Sequence, residues 1–303
     1  MKFRVILATA AMTFLASFTT IAGKQAALEV DVFAIVYLRY ILAFFTLSLI
    51  LWFRQTKVKI DRGDWKSLFF LMLTGILLNQ NFFVIGLRYT IPSHISLIYA
   101  TTSVWVMVLS WIAGKGHPNK KQIYASMLTV VGVAVVIGSS LLVFNRELFI
   151  GDIYILGATL SWASYTAFGK KMVHKYGPIQ TTFIVLCGAV ISYSPIGIPR
   201  VFSVEWAQVS MLAFLGIVYM GLFTSGISYV LYYYILKHLE APHLGLMVSA
   251  QPPTTVILSI LAGYEILKLN TVLGIILIGG GILLASRGNT VSIPSMSKSR
   301  KSV

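Results

Sequence analysis

The sequence predicts an all-α integral membrane protein of ten transmembrane helices, arranged as two five-helix repeats of inverted topology. Three observations lead there. Of 303 residues, 57% are hydrophobic and 11% charged, with a mean hydropathy of +0.83, a composition suited to a bilayer and not to a water-soluble core. The charges are spaced so that apolar runs of about 20 residues, the length needed to span, follow one another along the chain. Finally, the stretch from Lys237 to Arg287 lies without a gap on the stretch from Arg88 to Gly138 when slid back 149 positions. His243 then falls on His94, Leu246 on Leu97, Ser259 on Ser110, Ala262 and Gly263 on Ala113 and Gly114, and Gly281 on Gly132. An internal repeat of that extent divides the chain near residue 150.

Taken in order, the first apolar run lies between Arg4 and Lys24. Preceded by Met1-Lys2-Phe3-Arg4 and ending Ile21-Ala22-Gly23, it has the outline of a secretory signal peptide as well. It is read as helix 1 because it is long enough to span and because Gly23-Lys24 has a counterpart in Gly169-Lys170. The second run, from Val32 to Phe53, is broken only by Arg39. The third and fourth flank Arg88 and are bounded by Lys66 and Lys115, and the fifth lies between Lys121 and Arg146. The second half repeats the series: Asp152 to Lys170, Lys175 to Arg200, Glu205 to Lys237, Glu240 to Glu265, and Lys268 to Arg287. Continuous runs without dyad alternation exclude a spanning β-barrel. The predicted units are residues 1–148, residues 149–288 and a Ser/Lys-rich tail, 289–303.

Charge placement orients the bundle. With the N-terminus inside, eighteen of the 24 Lys and Arg residues fall in inner segments and five in outer ones (Lys24, Arg88, Arg146, Arg200 and Lys268), with Arg39 inside a helix. That positive-inside bias predicts a multi-pass inner-membrane protein with both termini cytoplasmic. It also accounts for the net charge of +15 through the membrane lipid, with no nucleic-acid partner. Each half holds five helices, an odd number, so the second enters upside down; such inverted repeats line a site at their interface and permit alternating access. The single cysteine, Cys187, lies in an apolar run and reads as a small core residue, with no disulfide framework or Cys metal site.

Certain motifs then resemble the EamA-type transporters of the drug/metabolite transporter superfamily. They are Leu38-Arg39-Tyr40 with Ala43 in helix 2, Ser161-Trp162-Ala163 in helix 6, and Ala262-Gly263-Tyr264-Glu265 followed by Gly274 to Gly281 in helices 9 and 10. The resemblance covers all but the tail. The first half departs from the pattern, with Gly116 where the repeat places Glu265, and Ser103 and Val104 opposite Pro252 and Pro253. The resemblance implies export or exchange of small metabolites, often amino acids, through a central cavity. It also directs attention to helix 1, where a small multidrug resistance protein, a shorter relative, carries a carboxylate. Here that helix offers Thr13, Ser17, Thr19 and Thr20, which disfavours cation–proton antiport and suits zwitterionic or anionic substrates.

Candidate site residues are the polar and aromatic groups within apolar runs. Arg39 costs about 2.5–3.5 kcal/mol at mid-bilayer on insertion scales, so it should face protein or a water cavity. It either meets a substrate carboxylate or phosphate or snorkels and bonds helix ends; the family shares an Arg here whatever its substrate, which favours the structural role. Asn79, Gln80 and Asn81 form an amide run in helix 3, and since successive residues turn about 100°, at least one must bond a neighbouring helix. Tyr99 and Thr102 on helix 4, Trp162 and Tyr165 on helix 6 and Tyr229 on helix 8 complete an amphipathic lining. Trp105 and Trp162, near run centres, need partners for their indole N–H. Pro252 and Pro253 are expected to kink helix 9 beside the cavity and adjoining Gln251. His94 and His243 occupy equivalent repeat positions near opposite faces; they are proton-linked candidates with a structural role as the plainer reading. Gly132 and Gly279 to Gly281 serve close helix packing.

No nucleophile–base pair, phosphate loop or metal spacing is present, so neither an enzyme, a cofactor nor a metal is expected. The acids lie at helix ends or in loops. A nucleotide-like or phosphorylated substrate would need several basic groups in the cavity, where Arg39 stands alone. A non-transporting scaffold, the rival of another class, has no need of an inverted repeat with central polar groups. The expected partner is a small metabolite such as an amino acid, for a monomer or homodimer.

Overall fold

The computed structural model describes residues 2–55, 60–114, 120–142, 145–228, 231 and 241–286. Among them are ten long helical segments, a short 3-10 turn at Trp206–Gln208 and no strand: α1 (Lys2–Glu29), α2 (Val32–Phe53), α3 (Arg62–Tyr89), α4 (Pro92–Ile112), α5 (Lys120–Leu142), α6 (Arg146–Tyr176), α7 (Pro178–Phe202), α8 (Met211–Ile227), α9 (Ala241–Leu261) and α10 (Leu269–Ser286). Five stretches within α2, α3, α4, α5 and α7 are long and apolar enough to cross a membrane. Large apolar side chains on their outer faces stand exposed, among them Phe45, Trp52, Ile191 and Phe202, as lipid-facing groups do.

Helix starts follow local chemistry. The Asp31 carboxylate accepts from the amides of Phe33 and Ala34 to cap α2, and Ser210 Oγ accepts from the Ala213 amide to cap α8. These bonds satisfy donors a first turn leaves open. Pro92 and Pro178 sit in first turns, where the missing N–H costs nothing. The reversal between α6 and α7 is made by Gly177 at φ +75°, in the left-handed region that a residue without Cβ enters freely.

The packing obeys a simple rule. The main helix pairs are α5 with α10, α2 with α7, α3 with α6, α1 with α8, α1 with α9, α4 with α6, α2 with α8, α3 with α7 and α4 with α9. Replacing each helix by the one five places along returns the same set. One core cluster, including Tyr40, Leu47, Leu71, Leu87, Ile155 and Met220, fills the centre, and a second joins α4, α5 and α10 through Leu97, Val136 and Ile278. Backbones approach where glycines allow it. A Cβ on Gly281 would lie 2.8 Å from the Ala125 carbonyl oxygen, and one on Gly132 would lie 2.6 Å from Ile278.

Four details differ from the expectation. α1 continues past Lys24 to Glu29, because the Lys24 ammonium finds three carbonyl acceptors at the end of α3. α6 begins at Arg146, so Asp152 lies within the helix and is fully buried. α3 and α8 each contain a π-helical stretch, Leu73–Leu78 and Met220–Ile227. The expected break beside Pro252 and Pro253 is absent. α9 runs through both prolines, although neither has an N–H to bond a carbonyl four residues back. The carbonyls so left without that donor are those of Val248 and Ser249; the neighbouring Gln251 carbonyl accepts from Ser17 Oγ at 3.2 Å and Thr255 Oγ1 at 3.0 Å. The interruption falls in α4, where Thr101 forms a turn and its hydroxyl donates to the Ile98 carbonyl.

Candidate functional site

A small cavity lies where α2, α3, α7 and α8 meet. Arg39, Tyr40 and Ala43 line it from α2, Ile76 and Gln80 from α3, Thr182 and Leu186 from α7, and Ser225 from α8. Ile76 and Ser225 belong to the two π-helical stretches and stand 149 positions apart, the offset of the internal repeat. π-turns loosen the local hydrogen-bond ladder and recur at functional sites. Here Tyr40 OH donates to the Ile76 carbonyl at 3.1 Å, and Ser225 Oγ donates to the Met220 carbonyl at 3.2 Å.

Arg39 is 5% exposed and does not snorkel. Its Nε donates to Ser225 Oγ at 3.1 Å and its guanidinium lies over the Phe83 ring, 5.5 Å from the centroid, a cation–π arrangement. Gln80 Oε1 and Thr182 Oγ1 are buried oxygens without a hydrogen-bond partner among the described residues, a costly condition in a dry interior. The site thus sets a fixed positive charge against two uncommitted oxygens, with Ala43 and Leu186 as apolar walls. Its volume is about 20 Å3 of space open to a water's centre, room for roughly one water. A larger solute requires the helices to part.

The other predicted residues are distributed around this centre. Asn79 stands behind Gln80, donating from Nδ2 to Tyr99 OH at 2.7 Å and to the Ala158 carbonyl at 2.9 Å, while Gln80 Nε2 donates to Asn79 Oδ1 at 3.2 Å. Tyr99 meets Phe83 edge to face, so Arg39, Phe83, Tyr99, Asn79 and Gln80 form a continuous chain of contacts. Asn81 turns away to Tyr193. Thr102 bonds its own helix at the Tyr99 carbonyl. Trp162 and Tyr165 stack on each other at 5.1 Å, with Tyr165 packed over Gly75. Thr102, Trp162, Tyr165 and Gln251, like Asn79 and Tyr99, lie outside the cavity lining. Trp105 Nε1 finds its acceptor in Thr101 Oγ1 at 3.0 Å. Tyr229 lies outside the described residues, as does the side chain of His243.

His94 belongs to a separate buried cluster, at the end of the bundle where α3 finishes and α4 and α6 begin. Its Nδ1 is 3.0 Å from both carboxylate oxygens of Asp152, which also accepts from the Thr90 hydroxyl. Beside it, Lys24 Nζ donates to the carbonyls of Leu87, Arg88 and Thr90, each at 2.9 Å. Glu265 accepts from the Ser93 amide at 3.1 Å and from its hydroxyl. At the opposite end, Lys175 pairs with Asp61 and Asp64, and Tyr176 OH donates to Asp64. The bonds to Asp61 and Asp64 hold the Lys175 ammonium above the usual lysine range.

Comparison with known proteins decides what kind of molecule this is. The EamA-like transporter family model matches residues 3–138 and again residues 149–287. The chain belongs to the EamA-like transporter family. It is 26% identical over 288 residues to an uncharacterized transporter of Archaeoglobus fulgidus, covering 94% of this chain and 97% of that one. It is 27% identical over 232 residues to the uncharacterized transporter YyaM of Bacillus subtilis, covering 76% and 75%. A crystal structure at 15% identity superposes with a TM-score of 0.66 over 96% of this chain and all of the other, a likeness of fold. This EamA-like chain is therefore a multi-pass membrane transporter. Six of its eight lining residues, Tyr40, Ala43, Ile76, Thr182, Leu186 and Ser225, were absent from the sequence-based site candidates. Tyr40 and Ala43 had a signal, since both stand in the Leu38-Arg39-Tyr40 motif with Ala43; Ile76, Thr182, Leu186 and Ser225 had none beyond their place in apolar runs.

Proposed function

We propose that this EamA-like transporter moves small zwitterionic metabolites, amino acids foremost, out of the cell or in exchange, by alternating access around the central cavity. The observation that carries the reading is the cavity itself: one guanidinium faces two partnerless oxygens, a pattern that suits a carboxylate and an ammonium on one small molecule. The symmetric helix pairing, the double family match and the paired π-helical stretches support ten spans in two inverted repeats, bounded near residue 148. On the positive-inside reading both termini, with the tail after residue 288, are cytoplasmic in the inner membrane. The end bearing His94, Asp152 and Glu265 is then the outer one. A cavity with room for about one water corresponds to a closed state, and transport follows from parting the helices at one end and then the other. One cation in the lining suits a monoanionic group better than a phosphorylated substrate.

The test is counterflow in proteoliposomes loaded with a panel of amino acids. Saturable exchange of at least one, reduced about tenfold or more in affinity by Gln80→Leu, is the expected result; about 1.4 kcal/mol corresponds to that factor. Equal counterflow by Gln80→Leu and the parent protein would remove the cavity from substrate recognition.

A further inference from the structure

We propose that Lys24 and Glu265 form a latch that holds the outer end of the bundle shut. The repeat supplies no equivalent of the carboxylate arm at the inner end, so the empty transporter rests with its cavity open to the cytoplasm. The proposal rests on the transporter and orientation reading above, and adds which gate is held and by which residues.

The helix pairing divides the core into two trios. α6 packs on α3 and α4, and α1 packs on α8 and α9. In the first trio α6 is tied near both ends, by Asp152 to Thr90 and His94 and by Lys175 and Tyr176 to Asp64. In the second, Glu29 accepts from the amide and hydroxyl of Ser210, and Tyr219 OH donates to the Leu15 carbonyl. Those bonds hold each trio together and do not resist movement of one against the other. Lys24 and Glu265 do. Lys24, on α1, is 9% exposed and directs its three donors to the carbonyls of Leu87, Arg88 and Thr90. They close the C-terminal end of α3, where carbonyls lack helical donors and the helix dipole is negative. The Thr90 hydroxyl donates in turn to the buried Asp152 carboxylate, so Thr90 links the ammonium to a group of opposite charge. Glu265, just beyond α9, accepts from the Ser93 amide at 3.1 Å and from its hydroxyl, at the positive first turn of α4. Both arms therefore run from the second trio to helix ends of the first, through hydrogen bonds to charged groups, which are about twice as strong as neutral ones.

The repeat makes the latch one-sided. Gly114 at φ +68° and Gly263 at φ +74° end α4 and α9 in the same way. The Ala113 and Ala262 amides donate to the carbonyls of Leu109 and Leu258, and the glycine amides to those of Trp111 and Ile260. Each of these residues stands 149 positions from its mate. One turn thus closes both helices, at opposite faces of the membrane, and the residue that follows it differs. Glu265 comes after Gly263; Gly116, without a side chain, occupies the equivalent place after Gly114. The receiving position differs as well. Opposite Ser93 stands Pro242, which has neither an N–H nor a hydroxyl to donate. Lys24, by contrast, has a sequence counterpart in Lys170. A contact made in only one of two conformations sets the balance between them. A carboxylate arm at the outer end alone therefore favours the form that is shut there, leaving the cavity to load from the cytoplasm.

The experiment reads access to the cavity and needs no substrate. In the full chain Cys187 is replaced by alanine and Ala43, in the cavity lining, by cysteine. A membrane-impermeant thiol reagent is applied to right-side-out and to inside-out vesicles. The starting protein should label faster from the inner face than from the outer one. Glu265→Ala should raise labelling from the outer face about tenfold, the shift in a two-state equilibrium when a hydrogen bond to a charged group is lost. Lys24→Met should raise it too. Glu29→Gln, which breaks a tie inside one trio at the same end, should leave it unchanged. Labelling of the starting protein that is as fast or faster from the outer face overturns the proposal. So does unchanged outer labelling in Glu265→Ala, or an equal rise in Glu29→Gln. Should Lys24→Met fail to fold, Glu265→Ala and Ser93→Ala, which remove the carboxylate arm from either side, decide. Absence of amino acid counterflow sinks the substrate reading and leaves this test in force. A C-terminal tag found on the outer face of intact cells overturns the orientation reading and, with it, the direction assigned here.

Discussion

Thr182 and Gln80 each bury an oxygen that no hydrogen-bond partner among the described residues meets, and that is where single substitutions separate binding from stability. Thr182→Val keeps the shape of the side chain and removes the partnerless hydroxyl. We expect thermal stability to be unchanged or raised, since a buried unsatisfied group costs about 1–3 kcal/mol, and substrate affinity in counterflow to fall. Asn79→Ala is its opposite, deleting the donor to Tyr99 and Ala158. It should lower unfolding stability by about 0.6–2 kcal/mol, the range for interhelical hydrogen bonds in membranes, as read in detergent melts. Arg39 and Gln80 were legible as site residues because a charge or an amide inside an apolar run has to be explained. Thr182 and Ser225 were not, because such residues sit in membrane helices routinely, and only the meeting of α2, α3, α7 and α8 makes them neighbours.

Helices explain themselves at a coarser grain. The charged punctuation of the sequence marks every segment, yet it displaced two ends, at Lys24 and Asp152, where a charged residue reads as a boundary until tertiary partners for it are known. The Pro252-Pro253 break did not appear for a related reason: α9 stays helical while packed against α1 and α4, contacts that the sequence does not display. Glycines carry the contact of α5 with α10. Gly281→Val should destabilise by about 1–3 kcal/mol through overpacking, whereas Gly279→Ala, with no atom within 4 Å of the added carbon, should melt with the parent protein. The tie of Lys175 to α3 has a defined pH window. Its folded-state proton affinity is raised by Asp61 and Asp64, so its contribution is complete below the ordinary lysine pKa of about 10.4 and is lost as pH rises beyond it. The difference in melting temperature between the parent protein and Lys175→Met should accordingly be constant from neutral pH upward and shrink only in strong alkali.

Across the whole molecule, the strongest helix pairings among the described residues join the first half to the second: α3 to α6 and α7, α1 to α8 and α9, α2 to α7 and α8, α4 to α6 and α9, α5 to α10. The sequence echo suggested two copies of one unit; it could not reveal that each copy is unfinished alone. This has a meaning for biosynthesis. As the ribosome releases the first five helices, they enter the bilayer with most of their binding faces still bare, and they must remain there as loosely associated spans until the rest of the message has been translated. A premature stop near residue 145 should yield a polypeptide that is inserted and then degraded. The same fragment made alongside residues 146–303 from a second gene should survive and co-purify with it, because every interface either piece lacks is supplied by the other.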